Sequence, residues 1–442
     1  MRTYDCIIIG TGAAGTQAAY KFAERGKKVA VIENWTPGGT CPQRGCDPKK
    51  ILLSASEAKA SVERILGYGL KGLVSVDWRQ LMERKNEYTQ PVPEQTTEKL
   101  KANGIDLLSA SPRFLSPQVI EVDGEQLTAD RFLIATGLRP RPLDIPGSER
   151  MITSHEFLDL KELPRRLVCI GGGYISFEFA HLARIAGADV TMLIRSKALK
   201  QFDEELVGVL VEATRSLGID VRFEVEPVRY EGNELTLSTG DVLLADAVLN
   251  ATGRVPSVDG LDLEKAGVEM GTRGIRVNEY LQTSADHIYA AGDVAESGNP
   301  ALTPFSGTEG RLAADNMLEG NKRERELIPV PSLVFTSPNL AKLGKSEEEL
   351  KKEGIPYSGK FLDTSDWQEN KRVKDQWSRA KILTGENEEI LGAHFLGVNA
   401  AELANHFAFA MQHRIPRSAM KQTSFAYPTP ASDIAMLLEQ SE

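Results

Sequence analysis

The chain has 442 residues, 41% hydrophobic and 26% charged, with a formal charge of −10. This length exceeds one ordinary core and predicts two or three domains, and the composition is that of a globular protein in water. The acidic balance excludes nucleic acid, whose phosphates call for clustered Lys and Arg, and an anionic membrane surface. The run "NKRERE" at 321–326 mixes both signs and reads as a solvated segment.

No apolar stretch has the length of a membrane helix. "YDCIIIGTGAAG" at 4–15 begins folded-domain sequence at once, so no signal peptide is expected and the expected compartment is the cytoplasm. Within it, Gly10-x-Gly12-x-x-Gly15 follows an apolar strand and opens a helical pattern through Arg25. A second strand, "KVAVIE", ends on Glu33. The first glycine permits the tight turn, the second lets the backbone approach a pyrophosphate, and the third is small where helix meets strand. Glu33 suits a ribose 2′-hydroxyl, as in the adenosine of FAD or NAD.

Next comes "GGTCPQRGCDPKK" at 38–50, with Cys41 and Cys46. A structural zinc site usually has four ligands in close pairs. The other two cysteines, Cys6 and Cys169, sit in apolar strands and read as small core residues. With no His beside the motif, zinc fits poorly. Cytoplasmic disulfides are more often catalytic or redox-sensing than structural, which favours redox chemistry.

The strand–turn–helix pattern returns in "RLVCIGGGYIS" at 166–176, with Gly171, Gly173 and Ser176 in the three small positions. Its following strand, "ADVTMLIR", ends on Arg195, with Lys197 and Lys200 behind it. A cation there suits a 2′-phosphate, so NADPH is expected over NADH. "LIATGLRP" at 133–140 and "LNATGRVP" at 249–256 read as chain crossings between domains, and "DHIYAAGDV" ends a strand at Gly292-Asp293. From about residue 327 the pattern becomes α+β. "PSLVFTSPNLAKLG", "RAKILTG" and "ILGAHFLG" read as strands, and "NAAELANHFAFAMQHR" as an amphipathic helix. Trp367 and Trp377 are expected to fill core or interface.

Together these elements resemble the class I FAD-dependent pyridine nucleotide–disulfide oxidoreductases, the family of glutathione reductase, dihydrolipoamide dehydrogenase and mercuric reductase. The resemblance rests on the GGxCxxxGCxPxK motif and on the order of the two fingerprints, the two ATG turns and the GD motif, and it covers essentially the whole chain. It implies an α/β fold with two Rossmann-like nucleotide-binding domains and a C-terminal α+β dimerisation domain. The FAD domain would span 1–148 and 255–326, the NAD(P)H domain 149–254 and the interface domain 327–442, in a homodimer.

The same resemblance implies the site. Gly10, Gly12, Gly15 and Glu33 would bind the ADP half of FAD and Asp293 its ribityl chain, with Thr40, Thr136, Gly137 and Thr303 also at the flavin. Cys41 would be the outer thiol that meets the acceptor, and Cys46 would lie against the flavin, the two forming the redox-active disulfide. Lys49 would sit near flavin N5, paired with Glu178. Gly171, Gly173, Ile175, Arg195, Lys200 and Gly253 would bind NADPH, and Tyr174 would shield the flavin until the nicotinamide displaces it. Five helical positions rise about 7.5 Å, whereas a disulfide needs Cα atoms within about 7 Å, so the Cys41–Cys46 turn must be distorted. Lys49 and Lys50 favour thiolate, and Asp47 opposes it.

One departure bears on the acceptor. Disulfide-reducing members carry His-Pro-Thr-x-x-Glu near the C-terminus, and the His, from the partner subunit, protonates the leaving thiolate. Here the matching segment is "AYPTPASD" at 426–433, with Tyr427 for the His and Ser432 for the Glu. A phenol, with a reference pKa of about 10 against about 6.5 for imidazole, is a poor proton shuttle at neutral pH. His406 and His413, on the preceding helix, read as structural or solvated. The expected acceptor is therefore a metal ion, quinone or similar small oxidant. Mercuric reductases also have Tyr near this position, but their C-terminal cysteine pair and N-terminal metal-binding domain are not seen in this sequence. The alternatives are a reductase of a small or protein disulfide, and a low-turnover flavoprotein redox sensor.

Overall fold

Arg2–Ile9 forms a strand whose second half, Cys6–Ile9, is apolar on both sides, and both sides are covered. Ile7 and Ile9 pack with Phe114, Phe132 and Leu261, while Cys6 and Ile8 point the other way among Phe22, Leu133 and Met317. Cys6 is thus a core residue, as its strand context suggests. The strand lies parallel between Val29–Glu33 and Glu125–Ile134. Asp106–Ser109 extends one edge, and Ile288–Ala290 runs parallel to the end of Glu125–Ile134. Helix Ala13–Glu24 packs on helix Thr303–Glu319. A Cβ at Gly310 would lie 2.1 Å from the Ala14 carbonyl oxygen, so the helices approach this closely only with glycine there.

This sheet centres one of two units into which the computed structural model, describing residues 2–441, divides. The first unit comprises the chain up to Ile51, Glu83–Arg141 and Gly253–Leu327, and the second Leu52–Met82, Pro142–Thr252 and the chain from Ile328. The chain changes unit just after Leu138–Pro140 and just before Arg254–Pro256, two short strands that pair antiparallel. They follow the two ATG turns. Among the described residues no helix is long and apolar enough to cross a membrane.

The second unit holds a parallel sheet in the order Asp220–Phe223, Asp189–Ile194, Arg166–Ile170, Ala247–Asn250. Helix Tyr174–Ala186 packs against it. The unit also holds an antiparallel sheet in the order Ser332–Val334, Asn339–Gly344, Ile390–Gly397, Arg379–Thr384, Phe361–Asp363, with helix Ala400–Gln412 across it. Apart from Phe361–Asp363, these strands and this helix match those read from the sequence after 327. The two sheets share one core, in which Phe177 and Phe179 lie in a cluster with Val334, Leu340 and Leu396. Cys169 belongs to the same cluster, and Trp367 packs at the edge of a second one under the antiparallel sheet.

A buried ionic cluster ties the same layers together. Lys381, 2% exposed, donates to Asp203 at 2.8 Å, to Glu347 at 3.2 Å and to Glu205. Asp203 in turn caps helix Glu204–Ser216 by accepting from the N–H groups of Glu205 and Leu206. Replacing Lys381 by Met removes the cation and leaves Asp203 buried without its counter-charge. Loss of one partner of such a pair costs about 3–5 kcal/mol. Lys381→Met is expected to lower hydrogen-exchange protection of strand Arg379–Thr384 by that amount and leave strand Arg2–Ile9 unaffected. Equal loss in both would mean that the cluster does not act locally.

Candidate active site

Gly10 has φ +108, and a Cβ on it would lie 2.4 Å from the Ala135 carbonyl oxygen. A Cβ on Gly15 would lie 2.0 Å from the Gly10 carbonyl oxygen. Both glycines therefore serve packing. Gly12 differs: it has φ −68, and the nearest atom to its Cβ position is the Gly39 Cα at 4.0 Å. The middle glycine thus leaves an open cradle at the start of helix Ala13–Glu24, as a phosphate approaching the backbone requires. At the end of Val29–Glu33, the Glu33 carboxylate accepts from the Thr11 N–H at 3.1 Å, the Thr11 hydroxyl at 2.5 Å and the Trp35 N–H at 3.0 Å. Its orientation is set before any ribose arrives.

The other flavin candidates lie in the same unit. Thr136 and Gly137 follow strand Glu125–Ile134, and the Thr136 hydroxyl is buried without a hydrogen-bond partner. Buried polar groups are normally satisfied, so this orphan fits a site meant for a polar ligand. Asp293 accepts from the Ser306 hydroxyl at 2.9 Å. Its turn is held by buried Glu309, which accepts from the Gly292 N–H at 2.9 Å, the Ser297 hydroxyl at 2.6 Å and the Asn299 amide at 3.0 Å. The residues present fit FAD.

The cysteine turn is broken where the sequence requires. Helix Thr40–Arg44 stops, Gly45 adopts φ −139 and ψ −119, and helix Cys46–Arg64 begins. A Cβ at Gly45 would be 3.0 Å from the Thr40 carbonyl oxygen and 3.1 Å from the Cys41 Cα. Both cysteines are free thiols here, Cys46 exposed and Cys41 half-buried. The Cys46 thiol is pushed down to about 6, first by the hydrogen bond from Cys41 and then by Thr303 and the Lys49 charge, against burial and Asp47. Cys41 moves the opposite way, because the two thiols share one proton. Thr303 Oγ1 lies 3.7 Å from Cys46 Sγ and opens helix Thr303–Glu319, whose positive end also favours thiolate. The reduced pair thus carries its negative charge on Cys46 at neutral pH.

The nicotinamide-nucleotide candidates lie in the second unit, except Gly253. A Cβ at Gly171, φ +128, would lie 2.3 Å from the Ala251 carbonyl oxygen, while one at Gly173 would have nothing within 4 Å. This repeats the closed and open pattern of Gly10 and Gly12. Tyr174 is 48% exposed and Ile175 half-buried. Glu178, buried on the same helix, accepts from the Phe335 N–H at 2.9 Å. Arg195 and Lys200 are exposed, and Arg195 Nε is 3.6 Å from Glu226. Gly253, φ +134, accepts from the Arg141 N–H.

Tyr427 is 83% exposed. Ser432 donates to the Thr429 carbonyl at 2.6 Å and closes a local turn. His406 donates from Nδ1 to the Glu402 carbonyl and packs edge-on to Phe425, and His413 lies beside Phe409. These are local structural contacts. Among the described residues, no group of three or more His, Cys, Asp and Glu is arranged to hold a metal ion. Sequence reasoning missed Thr11, Ser306 and Glu309, which orient the acidic residues, and Glu226, which faces Arg195. None of these lies in a motif that marks it.

The two kinds of glycine separate in a simple test. Gly12→Ala is expected to keep the native circular dichroism and thermal midpoint while FAD affinity falls by at least about tenfold, or 1.4 kcal/mol. Gly10→Ala is expected to lower both. If Gly12→Ala retains full FAD content in dilute solution, the cradle is not at Gly12.

Residues 4–310 match the family model described as pyridine nucleotide-disulphide oxidoreductase, and residues 330–437 match the dimerisation domain of that family. Similar curated proteins include a glutathione reductase of a Nostoc species, 34% identical over 98% of this chain and 99% of that protein. They also include a mercuric reductase of Staphylococcus aureus, 33% identical over 98% of this chain and 81% of that one. A dihydrolipoyl dehydrogenase of Thermus scotoductus is 34% identical over 97% and 95%. Among solved structures, the Cu(II) complex of the HOCl-induced flavoprotein disulfide reductase RclA from Escherichia coli aligns over the full length of both chains, with TM-score 0.89 and 27% identity. That family is FAD-dependent and uses nicotinamide nucleotides. With its two fingerprints, its broken cysteine turn and its C-terminal sheet, this chain belongs to the pyridine nucleotide-disulphide oxidoreductases.

Proposed function

We propose that the chain is a cytoplasmic, homodimeric flavoenzyme that uses NADPH to reduce the Cys41–Cys46 disulfide and passes the electrons to a soft metal ion, quinone or similar small acceptor. The observation that carries this reading is the Cys46 thiolate beside the Cys41 thiol, in a chain with Tyr427 and Ser432 at the positions of the proton-donating pair. Thiolates are the ligands that a soft metal ion prefers. The mercuric reductases among the relatives and the Cu(II) complex of a structural relative support the same acceptor class. The homologous dimerisation domain supports the homodimer. The domain division proposed is 1–148 with 255–326 for FAD, 149–254 for NADPH and 327–442 for the interface.

When bound, FAD supplies a two-electron relay between nicotinamide and disulfide. The protein's own residues do the rest. Gly10, Gly12, Gly15 and Glu33 seat the ADP half, with Thr40, Thr136 and Gly137 along the cofactor and Asp293 at the ribityl chain. Gly171, Gly173, Ile175, Arg195, Lys200 and Gly253 seat the nucleotide, and Tyr174 gives way to it. Lys49 and Glu178 act as the family's charge pair. NADPH, a proton and the disulfide yield NADP+ and the dithiol. The dithiol then returns to disulfide by giving one electron to each of two Cu(II) ions, releasing two protons, or two electrons and two protons to a quinone. Neither oxidation needs a protonated thiol leaving group, so the loss of an imidazole at Tyr427 is tolerated.

The acceptor is tested by steady-state assay with NADPH. Cu(II) or a quinone should turn over readily, and glutathione disulfide and lipoamide weakly. Tyr427→His with Ser432→Glu should raise disulfide reduction, since acid–base assistance is worth about 10²–10⁴-fold. Vigorous wild-type reduction of glutathione disulfide, unaltered by the double substitution, would favour the second reading, a disulfide reductase, which the glutathione reductases among the relatives support. An enzyme that NADPH reduces but no acceptor reoxidises would favour the sensor.

Nucleotide preference is tested separately. Arg195→Glu should lose NADPH use about ten- to a hundredfold more than NADH use. Glu226 competes with the phosphate for Arg195, so Glu226→Gln should shift preference further towards NADPH. Wild-type preference for NADH, with both substitutions silent, would remove Arg195 from the site.

A further inference from the structure

Between Glu33 and helix Thr40–Arg44 the chain makes an irregular strap, 34–39, and two side chains from within the cysteine motif hold it. Gln43 Nε2 donates to the carbonyls of Thr36 at 3.3 Å, Pro37 at 2.9 Å and Gly39 at 3.1 Å. The Arg44 guanidinium lies 3.3 Å from the Trp35 ring centroid and donates to the Thr36 hydroxyl at 2.8 Å. The other end of the strap is tied to the ribose carboxylate, because Glu33 accepts from the Trp35 N–H and Thr11 Oγ1 accepts from the Gly38 N–H at 2.9 Å. Glu33, Trp35, Arg44 and the Cys41–Cys46 turn thus form one continuous chain of contacts. Trp35 is 55% exposed, so burial alone does not hold it in place, and the Arg44 contact helps to order it.

We infer that Arg44 is a positioning residue: with Trp35 and Thr36 it locks the cysteine turn to the strand end that carries Glu33, so that the ADP half of the flavin site and the reactive Cys46 are set as one body. The proposal rests on the flavin–dithiol reading above and adds to it a mechanical link between the far end of the cofactor and the thiol pair. The planar guanidinium suits both contacts at once, because it stacks on an indole while an edge N–H reaches the hydroxyl. Lysine keeps the charge but not the plane, and methionine keeps only bulk.

The test uses the full-length holoenzyme after anaerobic reduction with NADPH. Wild type should show the long-wavelength thiolate-to-flavin band. In Arg44→Met, with FAD content and thermal midpoint unaltered, this band should lose about two- to fivefold in intensity, the range expected for one exposed cation–aromatic contact. In the same variant, the pH midpoint for iodoacetamide alkylation of Cys46, read by mass spectrometry, should rise. Arg44→Lys should restore part of both, and Trp35→Ala should reproduce the Arg44→Met result. Trp35→Phe keeps an aromatic face and guards against a variant that simply misfolds. If Arg44→Met and Trp35→Ala leave band and alkylation profile as in wild type, the inference is overturned. If wild type itself shows no band on reduction, the flavin–dithiol reading fails instead, and the alkylation profile still reports whether Arg44 sets Cys46.

Discussion

Two thiols five positions apart cannot meet across a regular helix, and the break at Gly45 removes that obstacle. Much of the surrounding site depends on this one interruption. It ends one helix and starts another, so that Cys46 becomes the first residue of helix Cys46–Arg64. That position gives Cys46 the positive end of its own helix, the Lys49 charge from the same first turn and Thr303 from the start of a second helix. A continuous helix would have put the same residues on diverging faces. Just before the break, Gln43 holds the preceding strap through its three carbonyl contacts.

The glycines show how one residue type does two jobs at fixed spacing. Gly10 and Gly171 are shut against a neighbouring strand, with a carbonyl oxygen where a Cβ would stand. Gly12 and Gly173, two positions on, face open space. The repeat suggests that the phosphate turn is built first as a packing problem, and that ligand space is what remains once the first glycine has let strand and helix close up.

Most of this was legible in the sequence because it is local. A strand, a glycine turn and a helix lie within about thirty residues of each other in a βαβ unit, so period and spacing reveal them. The distortion at the cysteine turn followed from helix geometry once the resemblance had paired the two thiols. What stayed hidden was long-range. Lys381 meets Asp203 across 178 positions, and Glu178 meets Phe335 across 157, with no pattern at either end. Glu309 reads as one more polar residue on an amphipathic helix until its three donors are seen. The departure at Tyr427 was visible only by resemblance, since a tyrosine beside a proline says nothing by itself. Ser432 is spent on capping its own turn rather than on orienting Tyr427, which no spacing rule would have disclosed.

The pairing of Leu138–Pro140 with Arg254–Pro256 fixes where the chain leaves the first unit and where it comes back. The segment between them leaves and returns through neighbouring antiparallel strands, so its two ends stand about 5 Å apart, the spacing of any β-pair. A stretch of more than a hundred residues therefore leaves and re-enters the first unit through adjacent strands of a small separate ribbon. A pair of ends set this way accepts replacement without stretching either strand. Two of the chain's changes of unit, after Arg141 and before Gly253, are thereby tied side by side by that single short ribbon.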